Sequence, residues 1–325
     1  MSVQDKVIQI LANQGAARLS GEEIANELGV SRAAVWKAVQ KLQSEGYAIT
    51  GTRNQGYSLQ GFYDVLTECG VQEALCGEVK QIAKIQVKKS TGSTNDDMKL
   101  LAQDGAEAFT CIVAGEQSAG KGRRGRPFYS LGDTGVYLSI LLRPDQCIQD
   151  AGMITGAAAV AVCRAFENVC KAKPSIKWVN DIYVGKKKVC GILTEGAADL
   201  ESGRLAYAIL GIGVNVYTPQ DGFPEGIAQR AGSLLEKLNP NARNLLAAEI
   251  INECYRIYNQ EDFGSFVGQY QRLSLMEAKQ VIVIDSKGNE QSALCLGVND
   301  DLSLRVEYGN GLRADLHSGE VSIVL

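Results

Sequence analysis

The sequence predicts an α/β (α+β) chain in three parts: an N-terminal winged helix-turn-helix, a central mixed sheet covered by helices, and a small antiparallel barrel of SH3-like size. Three observations support this fold class. Two short helical patterns with a glycine between them come first, apolar strand-like runs flank a long alanine-rich helix in the middle, and short strands split by Gly, Asn and Asp close the chain. The length leaves room for two or three domains, which we place at residues 1–62, 63–273 and 274–325.

The N-terminal part shows the signals of a helix-turn-helix. Residues 4–13 carry a first amphipathic pattern. Ser20 and Glu23 form a capping box at the start of a second helix, which Gly29 ends. A third helix is predicted over residues 32–43, so two helices meet at a short turn that contains glycine.

Cationic side chains concentrate on the third helix and at the tip of a two-stranded wing predicted for residues 47–59, while acidic side chains concentrate on the second helix. A helix that reads DNA needs this asymmetry, because its exposed face meets phosphate groups. A plain helical bundle, or a winged helix that binds protein, is the alternative. The charge pattern assigns to DNA the residues Arg32, Lys37, Lys41 and Arg53.

The central part alternates strands and helices. Weak alternation in its strands predicts a sheet covered on both faces, and the nearly apolar helix over residues 151–171 predicts one buried layer. Residues 186–188 read as a solvated hairpin tip. The predicted strands are 81–89, 110–114, 136–142, 174–184, 189–195 and 205–214, and the other predicted helices are 96–103, 244–258 and 263–273. The barrel is predicted from strands at 281–284, 292–296, 303–306, 312–316 and 321–324.

A loop rich in glycine and cations joins the strands at 110–114 and 136–142. Glycine lets the backbone approach a ligand closely, and exposed N–H groups beside cations bind phosphate or carboxylate. Gly115, Gly120 and Lys121 have the spacing of a P-loop, but Gly122 stands where that motif needs Ser or Thr. The alternative is a solvated basic loop. The cations of this loop are Lys121, Arg123, Arg124 and Arg126.

Composition restricts the chemistry that the chain supports. The single histidine, His317, would have to serve any Ser-His-Asp or Cys-His hydrolase, and the nine cysteines contain no C-x-x-C pair. The net charge of -4 limits DNA contact to a local patch. There is no signal-peptide pattern and no apolar run near the ~20 residues of a membrane span, so we expect a cytoplasmic protein without a membrane partner.

Five short blocks follow the order and spacing of one family. Residues 120–126 read GKGRRGR and are similar to the GRGRRGR signature of biotin–protein ligases, with Lys121 in place of arginine. The other blocks are STN at 93–95, KWVNDIY at 177–183 with Val179 in place of proline, GILTE at 191–195 and GIGVN at 211–215. Residues 31–37 resemble a recognition helix, and residues 318–322 read SGEVS where the family has GGEIS. The chain therefore resembles the bifunctional biotin ligases and biotin-operon repressors.

The resemblance implies a class II synthetase-like ligase fold for the central domain and a reaction in two steps. Biotin and ATP give biotinoyl-5′-AMP and pyrophosphate, with Mg²⁺ on the phosphates and no metal ligand assigned in the protein. A lysine of a biotin carboxyl carrier protein then takes the biotin. The resemblance also implies operator DNA as a partner, and a homodimer that the adenylate promotes by ordering the glycine loop to complete a sheet edge. Residues 216–243 could cover the nucleotide.

The resemblance assigns the site residues one by one. Lys177 and Arg123 are the catalytic candidates, because cations lower the repulsion between the two anionic substrates. The biotin-binding candidates are Ser93, Thr94, Asn95, Gln117, Lys121, Gly122, Arg123, Lys177 and Gly191. The nucleotide-binding candidates are Arg124, Arg126, Phe128, Asn180 and Asn215. The DNA-binding set gains Ser31 and Trp36.

Other interpretations stay open from the sequence. Residues 93–95 could serve only as a helix N-cap, and Lys177 could form an ion pair with Asp181 or Glu195. The chain could also be a lipoate-type ligase or acyltransferase, which shares the catalytic fold, or a biotin-sensing repressor that has lost catalysis. The winged helix, the GRRGR run at residues 122–126 and the C-terminal barrel disfavour the first of these functions. The presence of Lys177 and Gln117 disfavours the second.

Overall fold

The computed structural model describes residues 2–14, 17–44, 47–52, 55–60, 64–144, 151–198, 203–259, 263–284, 288–317 and 320–323. Its N-terminal elements are α1 (Val3–Gln14), α2 (Gly21–Leu28), α3 (Arg32–Ser44), β1 (Ile49–Thr52) and β2 (Gly56–Leu59). The predicted capping box is confirmed: Ser20 Oγ accepts from Glu23 N–H at 3.1 Å, and Glu23 Oε2 accepts from Ser20 N–H at 2.7 Å. Gly29 ends α2 in the left-handed region with φ 64°. The helix-turn-helix and its hairpin share their own apolar core.

The central elements are α4 (Glu68–Ala74), α5 (Val79–Ile82), β3 (Lys84–Lys88), α6 (Thr94–Gln103), β4 (Thr110–Ala114), β5 (Gly135–Leu142), α7 (Ala151–Cys170), β6 (Pro174–Lys177), β7 (Asp181–Val184), β8 (Lys187–Ala198), β9 (Leu205–Asn215), α8 (Glu225–Ala228), α9 (Ala242–Tyr258) and α10 (Val267–Leu273). Seven strands form one sheet in the order β3-β4-β5-β9-β8-β7-β6. Only β3 and β4 run parallel among its described pairs. This mixed sheet was predicted.

Three local predictions were wrong. Residues 81–82 end α5, so β3 begins at Lys84. The strand predicted over residues 174–184 is a hairpin, because a turn at residues 178–180 separates β6 from β7. Lys187 and Lys188 belong to β8, so the hairpin tip is shorter than predicted.

The two faces of the sheet are covered differently. Successive strand residues point to opposite faces. Val113 joins the large core that includes α7 and α9, whereas Ile112 joins a smaller core with Met98 and Ala102 of α6. The part of the α6 face that this helix leaves uncovered carries the cavity described below.

Helix α7 corrects the expectation that no segment is long and apolar enough to cross a membrane. Its segment Gly152–Cys170 is 19 residues long with a mean hydropathy of 1.3, which is long and apolar enough to cross a membrane by those two criteria. Its central residues, Ala157 to Cys163, are fully buried inside the protein. The segment therefore lies where the sequence predicted it, as a buried layer of the core.

The C-terminal strands are β10 (Gln280–Ile284), β11 (Glu290–Val298), β12 (Leu304–Tyr308), β13 (Arg313–Leu316) and β14 (Glu320–Ile323). They form an antiparallel sheet in the order β13-β12-β11-β10-β14, consistent with the predicted barrel-like domain. This domain is fastened to the central one beside the KWVNDIY block. Trp178 Nε1 donates to the carbonyl oxygen of Leu302 at 2.7 Å, and Leu275 N–H donates to Ile176 O at 3.0 Å.

A buried polar cluster fastens the start of the central domain. Asp64 is fully buried and accepts from Tyr217 Oη at 2.7 Å and from the backbone N–H of Arg243 at 3.1 Å. Burial raises the pKa of the Asp64 carboxyl, and the Arg243 guanidinium partly offsets this rise. Beside the cluster, Gln9 of α1 accepts from Thr67 Oγ1 at 2.8 Å, which joins the N-terminal domain to α4. Phe62 and the predicted boundary at 62/63 lie outside the described residues.

Candidate functional site

Five strands carry one row of paired residues across the α6 face of the sheet. Paired residues on neighbouring antiparallel strands point to the same face. Residues far apart in the sequence therefore stand side by side. From the edge inward the row is Lys177, Asp181, Gly191, Gly213 and Tyr137.

This row is the floor of a cavity of about 330 Å³. Every small-molecule candidate from the sequence lines it: Ser93, Thr94, Asn95, Gln117, Lys121, Gly122, Arg123, Arg124, Arg126, Phe128, Lys177, Asn180, Gly191 and Asn215. The C-terminal domain also contributes, because Val321 and Ser322 of β14 line the same cavity. All five blocks, which are separate in the sequence, thus converge on one concave surface.

Two paired glycines of the row make room for an aromatic ring. A Cβ added at Gly213 would lie 2.7 Å from Phe128 Cζ, and one at Gly191 would lie 3.1 Å from Phe128 Cε2. Glycine is required at Gly213 for the Phe128 ring to lie against the sheet, and at Gly191 a side chain would crowd the ring. This packing anchors the second half of the glycine loop. Tyr137 meets this ring edge-on, with the centroids 6.4 Å apart. Burial raises the pKa of Tyr137 to about 12, so this side chain stays neutral near pH 7.

Short polar side chains fill the end of the cavity beside α6. Ser93 is the N-cap of α6, as the sequence allowed. Gln117 Oε1 accepts from the N–H of Thr94 at 2.9 Å and from its hydroxyl at 3.1 Å, and Gln117 Nε2 donates to Ser130 Oγ at 3.0 Å. The N-terminus of α6 and the start of the glycine loop are therefore fixed to each other.

Residues of the sheet also hold the end of the cavity beside α6 in place. Ser139 Oγ lies 2.8 Å from Thr94 Oγ1 and 2.6 Å from Asn95 Oδ1. Asn95 Nδ2 donates to Glu195 Oε2 at 2.6 Å. Gly211 leaves the space that Asn95 occupies, since an added Cβ there would lie 2.8 Å from Asn95 Nδ2. Thr94, Asn95 and Ser139 are buried and uncharged, and the exposed carboxylate of Glu195 completes the set of hydrogen bonds that holds them in one arrangement.

The glycine loop places its cations along the cavity. It is mainly non-helical, as predicted, with a single 3₁₀ turn at Arg123–Gly125 in which Arg124 takes φ 57°. Lys121 Nζ bonds both carboxylate oxygens of Asp96, at 2.6 and 2.7 Å, and this hydrogen bond raises the pKa of Lys121. Arg123 Nη1 donates to Asn180 Oδ1 at 3.3 Å. The loop therefore contacts both α6 and the KWVNDIY block.

The turn between β6 and β7 is held from three sides. Asn180 Nδ2 donates to Ile192 O at 2.7 Å, and Tyr270 Oη donates to Val179 O at 3.1 Å. Trp178 is held by Leu302 of the C-terminal domain. These contacts fix the turn beside Lys177.

The end of the cavity away from α6 has a different character. Tyr183, Phe223, Ile227 and Arg230 line it together with Asn215. The segment at residues 216–243, predicted as loops, contains the short helix α8 and contributes three of these side chains. The wall here combines aromatic, aliphatic and cationic groups.

Lys188 was predicted to be solvated on the surface, and that prediction was wrong. Its side chain is only 32% exposed, lines the cavity, and places Nζ 2.6 Å from Asp181 Oδ1. Lys187 also bonds to protein, donating to Ala228 O and Gln229 O at 3.1 and 2.7 Å. Glu195, the other partner considered for Lys177, accepts from Asn95.

Several residues that line the cavity, and Ser139, which supports Thr94 and Asn95 beneath it, were missed by the motifs. Ser139 is the one polar residue in the apolar strand Gly135–Leu142, and this signal could have identified it. Asp181 and Tyr183 stand inside the KWVNDIY block without an assigned role. For Lys188 and Ser322 the sequence offers no clear signal, because strand pairing alone brings them to the site.

The DNA-binding candidates lie on one surface of α3. Arg32, Trp36, Lys37 and Lys41 are exposed, while Val35, Ala38, Val39 and Leu42 are buried. Ser31 accepts from Ala34 N–H at 3.2 Å at the start of this helix. Arg53 lies outside the described residues.

Comparison with known proteins agrees with both parts of the molecule. A model described as an HTH domain matches residues 3–58, and the biotin/lipoate A/B protein ligase family matches residues 86–215. The bifunctional ligase/repressor BirA of Bacillus subtilis is 30% identical, with 99% of each chain covered. The BirA of Bacillus spizizenii is 36% identical over 72% of this chain and 71% of the relative.

A solved structure of a biotin protein ligase is similar to this chain in fold. The biotin protein ligase from Aquifex aeolicus, in complex with biotin and ATP, matches with a TM-score of 0.60 and 26% identity. The match covers 74% of this chain and 98% of that chain. The part of this chain beyond that match leaves room for the N-terminal helix-turn-helix.

Proposed function

We propose the function of this chain from one premise: it belongs to the family of bifunctional ligase/repressors. It activates biotin with ATP to biotinoyl-5′-AMP, transfers the biotin to a lysine of a biotin carboxyl carrier protein, and represses transcription through its helix-turn-helix in response to biotin. The observation that carries the ligase function is the single cavity on which the separate sequence blocks converge.

The first step brings two anions together. An oxygen of the biotin carboxylate attacks the α-phosphorus of ATP, the bond to the bridging β-phosphate oxygen breaks, and pyrophosphate leaves. We assign the approach of the carboxylate to Lys177 and Arg123, whose positive charge lowers the repulsion and stabilises the charge on the phosphoryl oxygens. The position of Lys177 in the floor row, beside the turn that holds Asn180, supports this assignment.

We place biotin at the end of the cavity beside α6. The ureido head of biotin is neutral and carries both donors and a carbonyl acceptor. Thr94 and Asn95, which are buried, and Gln117, which is partly exposed, offer complementary groups that their own hydrogen bonds hold in place. The nucleotide then takes the other end, where Phe128, Phe223 and Asn215 line the wall.

The second step forms an amide. The neutral amine of the carrier lysine attacks the biotinoyl carbon, the bond to the phosphate oxygen breaks, AMP leaves, and the amine loses a proton. Water would hydrolyse the same mixed anhydride, so the site must exclude it. The glycine loop, anchored by Phe128 and by the Lys121–Asp96 pair, is the element that would cover the adenylate.

Magnesium enters the proposal as an ion carried by the nucleotide. Within the described part of the chain, no three His, Cys, Asp or Glu side chains are grouped as a metal site. Mg²⁺ bound to nucleotides keeps several waters and takes one or two carboxylates beside the phosphates. Asp96 and Asp181, which stand beside the cavity, are each paired with a lysine. These residues fit an ion held chiefly by phosphate, which would supply neutralising charge.

Mass spectrometry after incubation tests the ligase function and its rival. The protein is incubated with ATP, Mg²⁺ and either biotin or lipoate, and pyrophosphate and adenylate are measured. We expect adenylate and pyrophosphate to form in the incubation with biotin and not in the incubation with lipoate. Adenylate formed from lipoate in preference to biotin would establish the lipoate-type alternative, and ligand binding without any pyrophosphate would establish a repressor that has lost catalysis.

The DNA function rests on the exposed face of α3 and on the predicted wing residue Arg53. Deleting residues 1–60 should abolish operator binding and leave part of the ligase activity, because the cavity is built from Ser93 and residues that follow it. Some loss is expected, since the deletion removes the Gln9–Thr67 contact. Gel shift and pyrophosphate release measure the two activities, and a truncated protein that still shifts operator DNA would contradict the assignment.

A homodimer promoted by the adenylate is part of the proposal, but the expected route to it was wrong. The glycine loop joins β4 and β5, which are inner strands, whereas the outer strands are β3 and β6. Ordering the loop therefore adds no edge strand. One winged helix contacts half of a palindromic operator, so strong specificity needs a dimer. Sedimentation with and without biotin plus ATP tests whether the adenylate raises the association constant.

We keep the domain boundaries at residues 1–62, 63–273 and 274–325 as part of this proposal. The separate apolar core of the N-terminal domain and the C-terminal antiparallel sheet support them. A cytoplasmic location, without a membrane partner, is likewise proposed. The burial of α7 inside the core supports the proposal that the protein has no membrane partner.

A further inference from the structure

Lys188 stands in the cavity although no motif assigns it a role. It lies near the start of β8, two residues after the exposed Lys186, and its side chain is 32% exposed. Its Nζ is 2.6 Å from Asp181 Oδ1. The position of this cation is therefore fixed by a partner within the site.

The carboxylate of Asp181 is unexpected in a cavity proposed to bind anionic substrates. Among the described residues that line the cavity it is the one carboxylate, and the other charged groups are lysines and arginines. An unpaired carboxylate facing phosphate would repel it. Pairing with Lys188 removes that repulsion and holds the ammonium group in the floor of the cavity.

Two sets of contacts place Lys188 at the nucleotide end. A Cβ added at Gly191 would lie 3.3 Å from Lys188 Nζ and 3.1 Å from Phe128 Cε2, so the ammonium group stands beside the aromatic ring. The backbone of Lys188 pairs with the covering segment: its N–H donates to Arg230 O at 2.8 Å, and its carbonyl accepts from Gly232 N–H at 2.9 Å. Arg230 lines the same end of the cavity.

We propose that Lys188, held by Asp181, is a positioning residue for the nucleotide phosphates. Its ammonium group faces the phosphate chain, and its backbone ties the segment at residues 230–232 to the sheet. Asp181 serves as the anchor of this lysine and not as a ligand of magnesium. The inference rests on the proposed ligase function, because it takes ATP as the ligand.

The first experiment compares Lys188→Gln with Lys186→Gln, an exposed lysine on the same hairpin. Calorimetry measures the binding of ATP and of biotin separately, and pyrophosphate release gives KM for ATP and kcat. We expect Lys188→Gln to weaken ATP binding and raise KM for ATP by about tenfold or more, the size of one lost charge-assisted contact. Biotin binding should stay within about twofold, and Lys186→Gln should change neither quantity. Lys188→Arg should recover most of the affinity for ATP, which a merely structural defect would not allow.

The second experiment tests whether Asp181 anchors Lys188. It uses Asp181→Asn and the double variant Asp181→Asn/Lys188→Gln. We expect Asp181→Asn to raise KM for ATP less than Lys188→Gln does, and the double variant to be no worse than Lys188→Gln alone. The Mg²⁺ concentration for half-maximal rate should not move in Asp181→Asn. Unchanged ATP binding in a folded Lys188→Gln protein would overturn the inference, and so would a large rise in the Mg²⁺ requirement of Asp181→Asn. A wild-type protein that binds ATP but releases no pyrophosphate with biotin would defeat the proposed function instead, while the ATP-binding comparison still decides the role of Lys188.

Discussion

At the end of the cavity beside α6 the polar side chains are short, buried and bonded to one another, whereas at the other end the cations are long and partly exposed. Thr94 and Asn95 are 3% and 5% exposed, and each is held by neighbours on two or more elements. Arg124 and Arg126 are exposed on the glycine loop. The first end is organised before any ligand arrives, and the second can adapt to its ligand. Changes at the first should alter affinity for the acid, and changes at the second should alter handling of the nucleotide and adenylate.

The largest effect is expected where the two ends meet. Lys177→Ala should lower the rate of pyrophosphate release by about 100-fold or more, because one electrostatic contact to the reacting groups is lost. The fold should survive, since Lys177 is only half-buried and is the last residue of the outer strand β6. Lys173→Ala, an exposed lysine just before the same strand, is the control. A Lys177→Ala protein with a near wild-type rate would remove this residue from the mechanism.

A substitution at the end of the cavity beside α6 should lower the affinity for biotin without changing the affinity for ATP. Gly211→Ala places a Cβ 2.8 Å from Asn95 Nδ2 and forces this side chain away from Glu195. We expect biotin affinity to fall by about 10-fold to 100-fold, since buried hydrogen bonds are left unmade. ATP affinity should be unchanged. Calorimetry with each substrate measures this, with Gly152→Ala as the control, because its added Cβ meets no atom within 4 Å. Equal loss of both affinities would refute the division of the cavity.

The glycine loop should affect retention of the adenylate more than the rate of its synthesis. Arg123 connects the glycine loop to Asn180 at 3.3 Å. Arg123→Ala should release biotinoyl-5′-AMP about tenfold faster while changing the rate of its fresh synthesis less. Release of labelled adenylate into a chase of unlabelled biotin and ATP measures this. The exposed Arg272→Ala on α10 serves as the control, and an unchanged release rate would show that Arg123 does not retain the intermediate.

The smallest effect is expected from the residue that departs from the family signature. Lys121→Arg restores the planar fork of arginine opposite Asp96, whose two oxygens Lys121 Nζ already contacts at 2.6 and 2.7 Å. Because both side chains are partly exposed, we expect biotin affinity to change by less than about threefold. Calorimetry decides it, with Lys121→Gln as the variant that removes the charge. A tenfold gain in Lys121→Arg would show that geometry, and not charge, limits this position.

Local signals predicted the parts of the fold that depend on neighbours in the sequence. Ser20, Glu23 and Gly29 define their helix through bonds within one or two turns, and the structure reproduces each. The hairpin at residues 174–184 was missed, because three residues of turn inside a strand-like run leave little trace in composition.

The candidate site was predictable where a motif places its residues and unpredictable where strand pairing does. Asp181, Gly191 and Gly213 belong to three blocks, and only the register of β7, β8 and β9 sets them in one row. Lys188 sits in a run of three lysines, and composition alone assigns such a run to solvent. Its position in the cavity depends on a bulge between β7 and β8 and on pairing with the segment at Ala231.

The positions of the two tryptophans allow their intrinsic fluorescence to report on DNA binding and on ligand binding. Trp36 is 54% exposed on the surface of α3, and Trp178 is 5% exposed with its indole N–H bonded to Leu302. Their emission should therefore differ in wavelength, the exposed indole emitting further to the red. In Trp36→Phe the remaining signal comes from the wall of the cavity and follows ligand entry. In the intact chain, quenching of the red component follows the approach of DNA, so both events are visible in one cuvette without a label.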